Sequence, residues 1–147
     1  MRKRKRKIVK LSETIPEKNN LLEQIKKASE GLYYISETDA EITPFAGSVA
    51  ESVSKEEILR QTKNAFDTPI EERNFAEIFK RLTKIQDWYG EEETAAVAKF
   101  VVLKELLEKN LRDLKVFRIG ETELDIYVVG LDAEDNLLGI ETKAVET

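Results

Sequence analysis

Apolar positions fall into segments of different periodicity, and each change of period marks an element. Leu21, Leu22, Ile25 and Ala28 recur at helical spacing on one face. Pro16 suits a first helical turn and Gly31 a C-terminal stop, so the pattern predicts a helix from Pro16 to about Glu30. Leu32-Tyr33-Tyr34-Ile35-Ser36 is an apolar run, a short buried strand or connection. Over residues 37–53, Ile42, Phe45 and Val49 are scattered among Ser, Thr, Pro, Gly and acids, and the strand signal is faint. Ser54 and Glu57 have the spacing of a capping box, in which each side chain satisfies an orphan backbone N–H, and open a helix to about Thr62. Asp67-Thr68-Pro69 reads as a turn, Ile70–Phe75 as a short strand, and Ala76–Leu82 as a helix burying Ile78, Phe79 and Leu82.

The longest helix is predicted from near Gly90 to about Asp113. Glu91, Glu92 and Glu93 sit in its first turn, where carboxylates complement the positive end of the helix dipole. Its apolar face carries Ala96, Phe100, Leu103, Leu107 and Leu111. Three strand-like runs follow: Val116–Ile119, Leu124–Val129 and Leu137–Val145. The connections at Gly120-Glu121-Thr122 and Gly130–Asn136 are too short for crossovers. They force a C-terminal antiparallel meander, and helices followed by a meander define an α+β fold.

Composition narrows the chemistry. The 147 residues suffice for one domain, and 41% hydrophobic against 36% charged describes a globular chain with a highly charged surface. Without Cys there are no disulfides or thiolate sites, and without His the commonest general base and metal ligand are missing. Catalysis would fall to carboxylates, Lys, Tyr or Ser, so an enzyme is disfavoured and no cofactor is expected. Residues 2–10 hold seven bases (Arg2, Lys3, Arg4, Lys5, Arg6, Lys7 and Lys10) and no acid. The other 17 Lys and Arg face all 29 acids, a net −12 over residues 11–147. The division is a basic, disordered arm over 1–12 and a folded domain over 13–147. Such an arm is either a solvated tail or a contact for nucleic acid, an anionic membrane or an import receptor. No secretory h-region or membrane span is visible, which places the expected protein in the cytoplasm.

The isolated glycines form no phosphate-binding loop. Glu91-Glu92-Glu93 could take a hard cation, but helix-end electrostatics explain them without one. Asp132, Glu134 and Asp135 lack the Gly and final Glu of a calcium loop and read as a hairpin turn. Asp87-Trp88-Tyr89 holds the only Trp, in a polar connection, either folded onto the core or serving as an interface anchor. Thr147, at the end of the last strand, offers oxygen donors acceptable to Mg²⁺, although chain ends commonly fray.

Several separate segments together resemble the cyanobacterial nuclease A inhibitor family. They are Leu22–Gly31, Ser36-Glu37-Thr38, Gln86–Glu93, Val116–Glu121, Leu124–Gly130, Asn136–Gly139 and Thr142–Thr147. The resemblance spans about residues 20–147 and has no counterpart for the basic arm. It implies a three-layer α/β/α sandwich with a mostly antiparallel sheet. It also implies a small acidic inhibitor, monomeric and binding 1:1, that blocks the active site of a sugar-nonspecific, Mg²⁺-dependent endonuclease. By that resemblance Thr147 reaches the nuclease's Mg²⁺, and Glu37, Asp87 and Trp88 contact the enzyme. Where family members carry Ser or Thr before the terminal Thr-Lys and a second Val after it, this chain has Glu141 and Ala144. Thr38–Phe45 departs from the family's Tyr-Pro-Phe order. The alternative is a nucleic-acid-associated adaptor, with Arg2, Lys3, Arg4, Lys5, Arg6 and Lys7 on phosphates and an acidic body that recruits protein.

Overall fold

Side chains alternate across a strand, and in the two longest strands both sets carry apolar residues into a core. Along Glu123–Leu131, Leu124, Ile126 and Val128 enter one hydrophobic cluster while Tyr127, Val129 and Leu131 enter another. Along Asn136–Val145, Leu138, Ile140 and Ala144 join the first cluster and Leu137 the second. A sheet buried on both sides needs cover on both sides, which is why a short domain adopts three layers. The computed structural model describes residues 17–147. The Pro16 helix start, the 1–12 arm and the bases Arg2–Lys7 lie outside the described residues.

In chain order the elements are α1 (Glu17–Ser29), β1 (Tyr33–Ile35), β2 (Asp39–Glu41), β3 (Thr43–Val49), α2 (Lys55–Gln61), β4 (Ile70–Asn74), α3 (Phe75–Leu82), α4 (Glu91–Asn110), β5 (Arg112–Ile119), β6 (Glu123–Leu131) and β7 (Asn136–Val145). Strands β3-β7-β6-β5-β4 form one antiparallel sheet in that order, and β1-β2 form a separate hairpin. The fold is α+β with a C-terminal meander, as the run of short connections predicts. Helices α1, α3 and α4 cover one face through Leu21, Ile25, Phe75, Phe79, Phe100, Leu103 and Leu107. Among the described residues, the other face is covered by α2, through Ile58 and Leu59, and by Ala50 and Val53 of the connection before it. Among the described residues, no helix is long and apolar enough to cross a membrane.

Local chemistry sets the boundaries. Gly31 ends α1 with φ 79°, a left-handed conformation that favours glycine. The Ser54 hydroxyl accepts from the Glu57 N–H and Asn74 Oδ1 accepts from the Glu77 N–H, capping α2 and α3. Helix α4 stops three residues earlier than its apolar spacing predicts. Leu111 is already extended, and Asp113 at φ 58° introduces a register irregularity as β5 begins. Leu111 is therefore buried from the helix–strand corner; Ala96 packs half-buried against the three-helix cluster, and Val97 beside it is buried as well. In α3, Phe75 and Phe79 are buried, whereas Ile78 and Leu82 are only partly so.

The faint strand signal over 37–53 resolves into two strands. β3 runs along β7, with Phe45 opposite Gly139 and its ring 5.1 Å from Tyr127, edge to face. A Cβ on Gly139 would lie 1.8 Å from the Val128 carbonyl oxygen, so no larger residue fits without moving β6. Val49 is 61% exposed, at the point where the β3–β7 register shifts between Ala46 and Val49.

Leu103, fully buried at the middle of α4, is the direct test of this packing. Leu103→Ala should lower unfolding free energy by about 2–5 kcal/mol. The measurement is the denaturant midpoint, with the m-value unchanged.

Candidate functional site

The end of β7 and the β1–β2 hairpin are built into each other. Ser36 shapes the hairpin turn, its N–H and its hydroxyl both donating to the Thr38 carbonyl at 2.9 and 3.0 Å. The same hydroxyl oxygen accepts from the Val145 N–H at 3.0 Å, and the Glu37 N–H donates to the Val145 carbonyl at 3.2 Å. Further back, the buried Thr142 hydroxyl donates to the Glu41 carbonyl at 2.9 Å. Past β7, the Glu146 N–H donates to the Thr122 carbonyl at 2.9 Å. Thr147 is then caught by Glu37: one carboxylate oxygen accepts from its N–H and from its hydroxyl, each at 2.8 Å.

Those two bonds favour the ionised carboxylate, the backbone N–H first and the hydroxyl second, and hold the Glu37 pKa below its ordinary value. They also fix the hydroxyl's direction. Because its proton goes to Glu37, the lone pairs of Thr147 Oγ1 remain free to meet a donor or a cation.

Thr147 and Glu37 stand at the rim of a groove of about 800 Å³ between the hairpin, the β7 tail and the start of α4. Aromatic and aliphatic surface from Tyr33, Ile35, Trp88, Tyr89 and Phe100 lines it. Its charged lining is Glu37, Glu92, Glu93 and Glu146 against Arg81, whose guanidinium donates to the Tyr34 hydroxyl at 2.8 Å. Trp88 is not folded onto the core. It is 74% exposed, with its indole edge to face on Tyr89 at 4.6 Å. The groove therefore unites Glu37, Trp88 and Thr147. Asp87 is exposed beside Trp88, in the Gln86–Tyr89 turn, but is not part of the groove wall.

The acids at the start of α4 combine two roles. Glu93 accepts from the Gly90 N–H at 2.9 Å, closing the helix end, while Glu92 and Glu93 face the groove. Sequence spacing missed Tyr33 and Ile35. The available signal was alternation: in Tyr33-Tyr34-Ile35 only the middle residue is buried, leaving its neighbours on the open side. Asp132, in the β6–β7 turn, is buried, and its carboxylate accepts from the Glu134 and Asn136 N–H groups at 2.9 Å each. Among the described residues, no group of three or more acids is placed to hold a metal ion.

Glu141 lies elsewhere. It pairs with Tyr127, which belongs to the α2-side cluster, whereas Tyr34 and Phe100 of the groove belong to the three-helix side. Partial burial raises its pKa, opposed by Lys143 and assisted by Asp125. The Tyr127 hydroxyl beside it is pushed up to about 12, by burial first and then by Glu141 and Asp125.

The sheet thus ends beside an open groove lined by aromatic and acidic side chains. Residues 19–147 match the family described as nuclease A inhibitor-like protein, and the chain belongs to that family. No curated protein matches the chain.

Two pH effects follow. Glu37 has a lowered pKa, so its hold on Thr147 is complete above its ordinary value of 4.5 and is lost as pH falls through the lower folded value. The Thr147 amide resonance should titrate with a midpoint below 4.5, and Glu37→Gln should abolish that titration. Glu141 has the opposite sign: its raised pKa makes the ionised form a cost to the fold that grows as pH rises. Glu141→Gln should raise the melting temperature at pH 7 and lose that advantage below about pH 4.

Proposed function

We propose that this protein is a non-catalytic inhibitor of a sugar-nonspecific, Mg²⁺-dependent endonuclease, with residues 13–147 as the inhibitory domain. The observation that carries the reading is the capture of Thr147 by Glu37 at the rim of the groove that also presents Trp88. A nuclease active site offers the scissile phosphate basic side chains and a divalent cation. The Thr147 hydroxyl oxygen, its proton committed to Glu37, approaches that Mg²⁺ with its lone pairs. Trp88 supplies apolar contact area, and Asp87 next to it supplies charge for a basic enzyme surface. The net −12 of residues 11–147 steers the body toward such an enzyme. Binding is 1:1, by a monomer in the cytoplasm.

Titration into a DNA-degradation assay with purified Mg²⁺-dependent nonspecific endonucleases tests this. Stoichiometric inhibition of at least one enzyme is expected. No inhibition at micromolar excess across the panel would reject the function. Deleting Thr147 or making Trp88→Ala should each weaken inhibition about 30-fold, as for interface anchors, whereas Lys109→Ala on the exposed end of α4 should change it by less than about twofold. Equal potency of the Thr147 deletion and the parent would remove the metal-directed mechanism.

One sequence feature favours a second activity: seven bases and no acid over residues 2–10. If this arm binds nucleic acid, DNA affinity will fall steeply with salt and vanish when residues 1–10 are removed.

A further inference from the structure

Arg118 projects from β5 on the side of the sheet away from α2, beside Glu71, its cross-strand neighbour on β4. Its side chain is only 13% exposed, and its Nε is buried with no hydrogen-bond partner among the described residues. A shielded guanidinium with an idle donor is an expensive way to fill space, and an apolar side chain would cost the fold less. The arrangement asks what the far end of the side chain does. One terminal nitrogen donates to the Glu146 carboxylate in a direct ion pair, and the other lies 4.0 Å from Glu71, whose second oxygen is held by Arg73 at 3.0 Å. Glu146 is thus fixed twice, by its N–H on the Thr122 carbonyl and by its carboxylate on Arg118.

The next residue is Thr147. One peptide link, about 3.8 Å between Cα atoms, separates it from this anchor. Glu37 holds it from the hairpin side, but Glu37 and Thr147 are both exposed, and an exposed carboxylate–hydroxyl contact does not by itself fix a chain end. Glu146 lines both the large groove and the smaller hollow that contains Arg118, so the tail forms the partition between them.

We propose that Arg118 is a positioning residue for the inhibitory contact: through Glu146 it holds Thr147 at the groove rim, and it touches no target itself. The inhibitory half of this proposal rests on the reading of Thr147 given above; the holding of the tail does not.

The full chain carrying Arg118→Gln, Glu146→Gln, or both, is compared with the parent. The first readout needs no nuclease: ¹⁵N relaxation and amide exchange at Thr147. Each single variant should loosen Thr147, and the double variant should be no looser than either single, because one contact is removed in all three. Arg118→Lys, which retains a cation for a contact made by a single nitrogen, should restore most of the order. Glu146→Gln leaves Arg118 and the core in place, so unchanged Thr147 dynamics in that variant overturns the proposal even if Arg118→Gln folds poorly. The second readout is inhibition of a Mg²⁺-dependent nonspecific endonuclease. Each single variant should weaken it about tenfold, and in a chain lacking Thr147 the same substitutions should change nothing. An equal loss with and without Thr147 would show a general effect on the fold and overturn positioning. If the parent inhibits no enzyme, the proposed function falls, while the relaxation data still decide whether Arg118 holds the tail.

Discussion

The structure depends on the ladder between β6 and β7, nine consecutive pairs from Glu123–Val145 to Leu131–Leu137. Among the described residues, it is the one pair of interior strands whose register is unbroken. β3–β7 and β5–β6 each contain an irregularity. Because a one-residue slip would move every side chain to the other face, burial on both faces makes this register expensive to change. A chain end that continues such a strand inherits its position. The hairpin, the groove rim and the last residue are all placed relative to that ladder.

The groove gains from being built on regular elements. Its walls are the inner ends of α4 and β7, with a hairpin bonded to β7 at Thr142, Val145 and Thr147. Groups already held in place lose little freedom on association, so more of the contact energy appears as affinity. The exposed indole is limited in the same way by its edge contact with Tyr89. An exposed large aromatic on an otherwise charged surface is costly to solubility, and its retention in a rigid setting fits an anchor for another macromolecule.

Much of the fold was legible because its signals were local. The Ser54 N-cap, the glycine stop at Gly31 and the short loops of the meander each depend on a few neighbouring residues, and each is found in place, although the Glu57 carboxylate turns to Arg60 and Gln61 instead of closing a capping box. The signals that misled were those that tertiary context overrides. The spacing that put Ala96 on the apolar face, where it packs half-buried against the core, left out Val97, which is buried too. Leu111 continues the helical spacing but belongs to a corner set by Asp113. At the site, residue types flagged Trp88 and the family pattern flagged Glu37 and Thr147. The bond between the last two spans 110 residues and has no periodicity to reveal it. The Arg118–Glu146 pair is as invisible, since an arginine in a strand ordinarily reads as solvent-facing.

The two faces of the sheet divide the constraints on this sequence. Toward α1, α3 and α4, β7 carries Leu138, Ile140 and Ala144 into the core on which the groove is built. Toward α2 its outer half carries Glu141 and Lys143, with Asp125 at 2.5 Å from Lys143 on β6. Seven-residue α2 covers only part of that face, leaving this end partly open. A carboxylate there costs some stability through partial burial but alters no atom of the groove wall. The departure from the family pattern at Glu141 thus bears on the stability of the domain and leaves the groove unchanged. Change at Glu37 or Glu146 would do the reverse, since both are exposed, contribute little to the core, and set where Thr147 stands.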